Sequence, residues 1–261
     1  MRIKAKQHSI NRHLCINMSM IIENLAIIKQ RIKSACDQCG RDEGSVKLLL
    51  ATKTVSAENI KIALQQGETL IGENKVQELK EKFEALKDTS HETHFIGHLQ
   101  TNKIKEVLRY TDCIQSVDRL ELAQKLNQRL QYEGRSMSVL IQVNTSAEES
   151  KFGVAPENAV QLVKAIAAME AIRIKGLMTI GIFSAETEKV RKCFQSLKNI
   201  QKQITGLNLA NVAMGELSMG MSGDLETAIS EGATMVRVGT AVFGKRIRPD
   251  SYYWNENQTE K

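Results

Sequence analysis

Proline is nearly absent from this sequence, with only Pro156 and Pro249 among 261 residues. No stretch rich in proline, glycine or serine divides the chain, so nothing in it indicates a linker between two domains. No apolar run approaches the ~20 residues that a membrane-spanning helix requires. Because 42% of the residues are hydrophobic, we expect one large domain with a sizeable core and no membrane association.

The cysteines and histidines do not form a recognisable metal or disulfide pattern. The five cysteines are odd in number and scattered, which argues against a disulfide framework and favours a reducing, cytoplasmic compartment. Cys36 and Cys39 form a lone C-x-x-C with no second pair to complete a zinc site. His94 and His98 would lie roughly 13 Å apart along one strand, too far to share a metal ion. We therefore predict no metal, with His98 lining a strand end and His94 packed in the core.

The positive charge of the chain is concentrated at its start. Residues 1–19 contain four basic residues and no acidic one, and without them the net charge falls from +6 to +2. A nearly neutral body does not indicate a nucleic-acid partner. The segment lacks the apolar core of a secretory signal, which leaves a disordered arm, a weak targeting sequence or an upstream translation start. We favour an upstream start ahead of Met18 or Met20.

Strand and helix patterns alternate after an opening helix near residues 20–39. Apolar, β-branched runs occupy residues 46–53, 69–73, 93–97, 112–117, 137–144, 172–180, 212–218 and 235–239. Helical spacing occupies residues 56–66, 75–87, 102–109, 119–133, 157–169, 186–204 and 224–231. This order is typical of an α/β fold, and we predict a single (β/α)8 TIM barrel over residues 20–246 with an extra N-terminal helix and a polar tail at 247–261. An open doubly wound sheet is the alternative, although no G-x-G-x-x-G follows the first strand.

The end of the first strand carries the most informative residue. Lys53 closes the run 46–53, and a parallel barrel presents its chemistry at the carboxyl ends of its strands. An apolar setting disfavours the charged form of a lysine and makes its amine nucleophilic, as a Schiff-base lysine requires. A rim lysine in a salt bridge is the alternative. The other strand ends are also polar or small: Glu73 and Asn74, Gly97 and His98, Ser116, Asn144, Met178 and Thr179, Ser218, and Arg237 to Thr240.

A candidate phosphate site follows the last two strands. The loop at 218–224 contains two glycines and the hydroxyls of Ser218 and Ser222, and it leads into a helix N-terminus. Gly239 and Thr240 add backbone N–H groups after the eighth strand, and these two loops often bind phosphate in barrels. An ordinary capped helix after a flexible turn is the alternative.

Arg237 stands in an otherwise apolar strand, where an arginine needs a partner. The partner could be Glu216 on the neighbouring strand or an acceptor on a ligand. An aldehyde-capturing lysine, a phosphate loop and a buried arginine together suggest pyridoxal 5′-phosphate (PLP). Arginine only donates, so it would leave the ring nitrogen unprotonated and weaken the electron sink. Such a site favours holding the cofactor over broad amino-acid chemistry.

The same segments make the chain resemble the pyridoxal phosphate homeostasis protein family, whose fold is like the barrel of alanine racemase. The matching segments lie at residues 51–54, 72–78, 94–103, 218–222 and 236–240. The resemblance implies that PLP is held covalently on Lys53, that Asn74 helps hold the ring and that Arg237 faces the ring nitrogen. It also implies a monomer that buffers PLP without established catalysis, with PLP-dependent apo-enzymes as candidate partners. The resemblance also implies that Ser218, Gly239 and Thr240 hold the phosphate. With His98 at its strand end and Met219 and Ser222 in the loop after the seventh strand, the predicted cofactor-binding residues are Lys53, Asn74, His98, Ser218, Met219, Ser222, Arg237, Gly239 and Thr240.

Two enzymatic alternatives remain open at this point. A PLP-dependent amino-acid racemase would need a second base opposite Lys53, and Tyr110, Tyr132, Tyr252 and Tyr253 are poor candidates because they fall near helix ends or in the tail. A Schiff-base aldolase acting on a phosphosugar would need an acid–base group, for which His98 is the candidate. We predict a non-catalytic protein and leave a residual racemase-type activity open.

Overall fold

Eight parallel strands form a closed barrel in the order β1 to β8. The computed structural model describes residues 2–148 and 151–244, and for residues 2–16 it describes the backbone alone. The strands are β1 Lys47–Ala51, β2 Leu70–Glu73, β3 Glu92–Phe95, β4 Cys113–Val117, β5 Met137–Gln142, β6 Ile172–Met178, β7 Val212–Ser218 and β8 Met235–Val238. The helices are α1 Arg2–Gln38, α2 Ala57–Gln65, α3 Val76–Leu86, α4 Ile104–Tyr110, α5 Leu120–Tyr132, α6 Pro156–Ala167, α7 Thr187–Thr205, α8 Leu225–Ser230 and α9 Thr240–Phe243.

The predicted (β/α)8 TIM barrel is confirmed, because a helix follows each strand and the sheet closes between β1 and β8. Local signals set the element starts. Ser56 accepts a hydrogen bond from the backbone of Asn59 at the start of α2, and Pro156 occupies the first turn of α6. None of the helices in the described part of the chain is long and apolar enough to cross a membrane.

The first helix starts at Arg2 rather than near Met20. No proline or glycine interrupts residues 2–38, so nothing in the sequence stops the helix there. The backbone of the leader 1–19 is therefore helical from Arg2 on, and the upstream start stays a prediction. From Ile21 onward the helix buries one face against α2, α8 and α9. The predicted tail at 247–261 lies outside the described residues.

The two faces of each strand serve different parts of the molecule. A small apolar cluster of Leu49, Leu70 and Met235 lies inside the barrel, and the large core lies between the sheet and the helices. Side chains alternate along a strand, so Lys53, four residues after Leu49, lies on the inner side. Arg237 is also on that side, because it pairs with Leu49 in the sheet register.

Candidate functional site

The carboxyl ends of the strands bring a lysine, an amide and an arginine to one end of the barrel. Lys53 is 8% exposed, Asn74 is 6% exposed and Arg237 is 6% exposed. All three continue the inner-facing alternation of β1, β2 and β8. The sequence-predicted residues that surround them are Ser218 and Met219 after β7, Ser222 in the following loop, and Gly239 and Thr240 after β8.

A polar cluster of Thr52, Glu73, Glu78 and Lys82 bonds the backbone on both sides of Lys53. The Lys82 Nζ atom donates to the Thr52 carbonyl at 2.8 Å, and the Thr52 hydroxyl donates to Glu73 Oε1 at 2.6 Å. On the other side, the Thr54 N–H donates to Glu78 Oε2 at 2.5 Å. Thr54 has a φ of 63°, which is an uncommon backbone conformation for a residue with a branched side chain. The cluster therefore fixes the segment that carries Lys53.

Lys82 joins the two carboxylates of this cluster. Its Nζ atom lies 2.5 Å from Glu73 Oε1 and 2.7 Å from Glu78 Oε2. Burial of Glu73, only partly offset by Lys82, raises the pKa of its carboxyl to about 7, and the charge of Glu78 adds to the rise. The other oxygen of Glu73, Oε2, is buried without a hydrogen-bond partner among the described residues. Glu73 thus lies on the outer side of the sheet, bonded to Lys82 of α3, whereas the sequence pattern had grouped it with Asn74 at the mouth of the barrel.

Arg237 makes two buried hydrogen bonds inside the barrel. Nη1 donates to Ser218 Oγ at 2.7 Å, and Nη2 donates to the Thr179 carbonyl at 2.7 Å. Burial lowers the pKa of Arg237 to about 10, partly offset by the charge of Asp224. Glu216, the structural partner considered from the sequence, is not bonded to it. That carboxylate instead accepts from Lys47 at 2.5 Å and from Thr234 at 3.1 Å.

Ser218 continues this network across the interior. Its hydroxyl donates to Gln115 Oε1 at 2.7 Å, and Gln115 Nε2 lies 2.7 Å from His94 Nδ1. His94 is buried, as expected for a packing residue, but its ring is part of a polar network. Sequence reasoning missed Gln115, although a polar residue inside the apolar run 112–117 was a signal of the same kind as Arg237.

The loop after β7 is a tight turn with its own internal bonds. Gly220 has a φ of 91°, and a Cβ there would overlap the Ala228 side chain. Asp224 Oδ1 accepts from the Met221 N–H at 2.5 Å, and the Ser222 carbonyl accepts from Arg31 at 3.0 Å.

Met219 and the residues after β8 differ in exposure. The Met219 side chain is fully buried in the core, and its N–H donates to the Met235 carbonyl at 3.1 Å. Gly239 is buried and Thr240 is exposed at the start of α9.

His98 lies at the edge of the mouth after β3. Its ring stacks on Phe152 with centroids 3.8 Å apart, and its Nδ1 lies 3.7 Å from Asp118 Oδ2. Burial lowers the pKa of His98, partly offset by the charge of Asp118. Together with Asn74 it lines a cavity of about 360 Å³ beside the mouth. No group of histidine, cysteine or acidic side chains in the described ranges could hold a metal ion.

The fold and the sequence of the chain match known proteins. The family model for the alanine racemase N-terminal domain matches residues 16–247. An alanine racemase from Clostridium difficile, 16% identical, shares the fold with a TM-score of 0.73 over 89% of this chain and 58% of its own. The pyridoxal phosphate homeostasis protein of Aquifex aeolicus is 43% identical over 224 residues, which are 86% of this chain and 97% of that protein.

A solved structure of PipY from Synechococcus elongatus with PLP bound is 30% identical, with a TM-score of 0.73 over 83% of this chain and 100% of its own. The chain therefore belongs to the pyridoxal phosphate homeostasis proteins, within the alanine racemase N-terminal domain family.

Proposed function

We propose that this protein binds PLP as a Schiff base on Lys53 and acts in intracellular PLP homeostasis as a buffer or carrier. The observation that supports this most directly is the placement of Lys53 and Arg237. Both are more than nine-tenths buried; Lys53 comes two residues after the end of β1, and Arg237 lies in the adjacent strand β8. The names of the curated relatives and the PLP-bound state of PipY support the same ligand.

The residues present fit the cofactor. PLP supplies an aldehyde that condenses with an amine and a ring that withdraws electrons. Lys53 offers the amine on the inner face. Arg237 has five N–H donors, of which its bonds to Ser218 and Thr179 use two, so donors remain for an acceptor on a ring. Arginine cannot give its proton up to such a nitrogen and keeps it unprotonated.

The phosphate is assigned to the loops after β7 and β8, with Ser218, Ser222, Gly239 and Thr240 as the predicted contacts. Gly220 lets the loop pack closely against Ala228 of α8, and Asp224 and Arg31 hold the loop in shape. Pyridoxal lacks the phosphate and should lose several charge-assisted hydrogen bonds, each worth ~1.5–3 kcal/mol. We expect at least about tenfold weaker binding of pyridoxal than of PLP. Equal affinities in a titration would contradict this assignment.

A carrier role is favoured over racemisation by the positions of the tyrosines. Tyr110 and Tyr132 are the last residues of α4 and α5. These helices run antiparallel to the strands, so their ends lie at the opposite end of the barrel from Lys53. Tyr132 is also 82% exposed. Among the described residues, no tyrosine is therefore placed as a second base. The proposal includes a monomeric, cytoplasmic protein that passes PLP to apo-enzymes.

Absorbance and trapping test the covalent site. The wild-type protein with PLP should show a visible band, and borohydride reduction should attach the cofactor to Lys53. Lys53→Ala should lose both signals. Lys47→Ala is the matched control, because Lys47 lies at the other end of the same strand, and it should keep both. A reduced adduct found by mass spectrometry on another lysine would refute the assignment.

Two functional assays separate a carrier from an enzyme. The loaded protein should restore activity to a PLP-dependent apo-enzyme in a mixed incubation. In heavy water with a panel of amino acids, NMR should detect negligible exchange of the α-proton. Exchange at an enzyme-like turnover that is lost in Lys53→Ala would favour the racemase alternative.

A further inference from the structure

A chain of buried hydrogen bonds crosses the inside of the barrel from Arg237 to His94. Arg237 donates to Ser218, Ser218 bonds Gln115, and Gln115 bonds His94, each at 2.7 Å. All four residues are less than a tenth exposed. They come from β8, β7, β4 and β3, so the chain connects strands across the interior.

Arg237 and the orientation of the Gln115 amide together set the direction of the bonds in this chain. A guanidinium only donates, so Ser218 Oγ must accept from it. The hydroxyl hydrogen of Ser218 is then directed to Gln115 Oε1, which leaves Gln115 Nε2 to donate to His94 Nδ1. A nitrogen that accepts carries no hydrogen, so a neutral His94 must carry its hydrogen on Nε2.

The orientation of the Gln115 amide has independent support from a sulfur atom. Gln115 Nε2 lies 3.1 Å from Met235 Sδ. A thioether can only accept, so the group beside it should be the NH₂ and not the carbonyl oxygen. The reverse orientation would put two acceptors together. Arg237 thus fixes the bond to Ser218, and Met235 fixes the amide of Gln115, which together give the direction of the chain.

We propose that Gln115 and His94 are positioning residues that orient Ser218 and Arg237 toward the ligand site. The proposal rests on the proposed function for the identity of that ligand. Without the acceptor at His94 Nδ1, only the weak acceptor Met235 Sδ holds the Gln115 amide in this orientation. The amide can then turn over more easily, and Ser218 loses the acceptor for its hydroxyl hydrogen. The Ser218 oxygen and the guanidinium bonded to it would no longer have one fixed arrangement.

His94 lies at the far end of the chain, where it lines a cavity of about 660 Å³ at the amino ends of the strands. The charged residues that line this cavity with it are Lys47, Glu68, Glu92, Asp112, Lys175 and Glu216. The Glu92 Oε2 atom is 3.7 Å from His94 Nε2. Burial, assisted by the charge of Lys47, lowers the pKa of His94 to about 4. The ring is therefore neutral near pH 7, as the hydrogen bond from Gln115 Nε2 to His94 Nδ1 requires.

Nitrogen-15 NMR of the ligand-free protein tests the chain without any cofactor. The ring nitrogen shifts of His94 should identify the tautomer with hydrogen on Nε2 at pH 7. In Gln115→Glu, a carboxylate would accept from both Ser218 and His94, so hydrogen should move to Nδ1 and the pKa of His94 should rise. His91, a histidine of the neighbouring loop whose ring bonds the Thr89 carbonyl, is the internal control and should not change.

PLP titrations test whether the chain acts on the ligand site. His94→Leu and Gln115→Leu should each bind PLP about tenfold more weakly than wild type, with a changed visible spectrum. His94→Asn keeps an acceptor near the Nδ1 position and should restore the affinity to within about twofold. Circular dichroism and melting temperatures of all variants control for unfolding.

The outcomes separate the two proposals. An Nδ1–H tautomer or a charged His94 at pH 7 would refute the proposed directions of the hydrogen bonds, whichever ligand binds. Unchanged PLP affinity in both leucine variants, with Arg237→Met strongly impaired, would overturn the positioning role and leave the proposed function standing. Failure of the wild-type protein to bind PLP would refute the proposed function and the positioning role that rests on it. The NMR measurement would still show whether the hydrogen-bond chain exists.

Discussion

Replacing Lys82 by methionine should damage the site although Lys82 does not face it. The Nζ atom of this residue, whose side chain is 12% exposed, bonds Glu73, Glu78 and the Thr52 carbonyl at 2.5, 2.7 and 2.8 Å. Methionine keeps most of the volume and removes the charge. The variant should therefore report on the three bonds rather than on packing.

The magnitude follows from the burial of Glu73, which is 1% exposed. Breaking a buried ion pair by removing one partner costs about 3–5 kcal/mol when the other charge stays behind. Glu73 can escape part of that cost by taking up a proton, because its pKa is already about 7. We expect Lys82→Met to lower the free energy of unfolding by about 2–4 kcal/mol at pH 7. PLP affinity should fall as well, because the segment carrying Lys53 loses one of its supports.

The pH dependence has a definite sign. The carboxyl pKa of Glu73 is higher in the folded chain than its ordinary value of 4.5, so the folded state holds the proton more tightly. The stability linked to this proton is fully present below about pH 4.5 and is lost as the pH rises through about 7. The deficit of Lys82→Met should accordingly shrink on acidification from pH 8 to pH 5. In Glu73→Gln this titration should disappear.

Urea denaturation of single and double variants provides the measurement. In the double variant Lys82→Met/Glu73→Gln no buried charge is left, so part of the loss should be recovered, giving a coupling energy above about 1 kcal/mol. Lys80→Met is the control on the same helix. Its ion pair with Glu106 is long, at 3.5 Å, and exposed, and such pairs are worth at most about 1 kcal/mol. If Lys82→Met costs no more than Lys80→Met, the reasoning is wrong.

Two further substitutions test the geometry of the mouth. A Cβ at Gly97 would overlap the Asn74 carbonyl, so Gly97→Ala should lower the free energy of unfolding by about 1–3 kcal/mol and weaken PLP binding. Gly215 has open space around it, so Gly215→Ala is the control and should change neither quantity in the same urea denaturation and PLP titration. Arg31 bonds Glu226 and the Ser222 carbonyl, so Arg31→Met should weaken PLP binding several-fold and lower the free energy of unfolding by about 1 kcal/mol. Unchanged affinity for both PLP and pyridoxal would show that the loop after β7 does not need the bonds of Arg31.

The barrel could be predicted from the sequence because most of its strands, with β2, β4 and β8 as the clearest cases, are buried on both faces. Such strands are continuous apolar runs, and the predicted run 46–53 contains the observed β1, Lys47–Ala51. The opening helix was less predictable. Ser19, a residue type common at helix N-caps, precedes Met20 and favours a start there, but no proline or glycine interrupts the chain upstream of it. A helix can therefore continue upstream of Met20, and the sequence alone leaves its first residue undefined.

The candidate site could be predicted in part. Lys53 and Arg237 were detectable because a charged residue is rarely buried in an apolar strand without a partner. Gln115, a polar residue in an apolar strand, met the same criterion. The bond partners could not be read from the sequence. Ser218 is 103 positions from Gln115, and closure of the barrel is what brings the two side chains together. The choice between Glu216 and Ser218 as the partner of Arg237 likewise depends on the register, because both residues face the same side of β7 and Ser218, which pairs with Met235, is the nearer of the two to Arg237 along the barrel.

The alternation of side chains at the strand ends divides the polar residues into two roles. Lys53 and Asn74 face inward, where a ligand can contact them, whereas Thr52 and Glu73 face outward and bond the backbone or α3. A shift of one residue along a strand would exchange these roles. Substitutions on the inner side should therefore change which ligand binds, and those on the outer side should change affinity for all ligands alike through the position of Lys53. Comparing PLP with pyridoxal in Lys82→Met, where both should weaken by the same factor, separates the two effects.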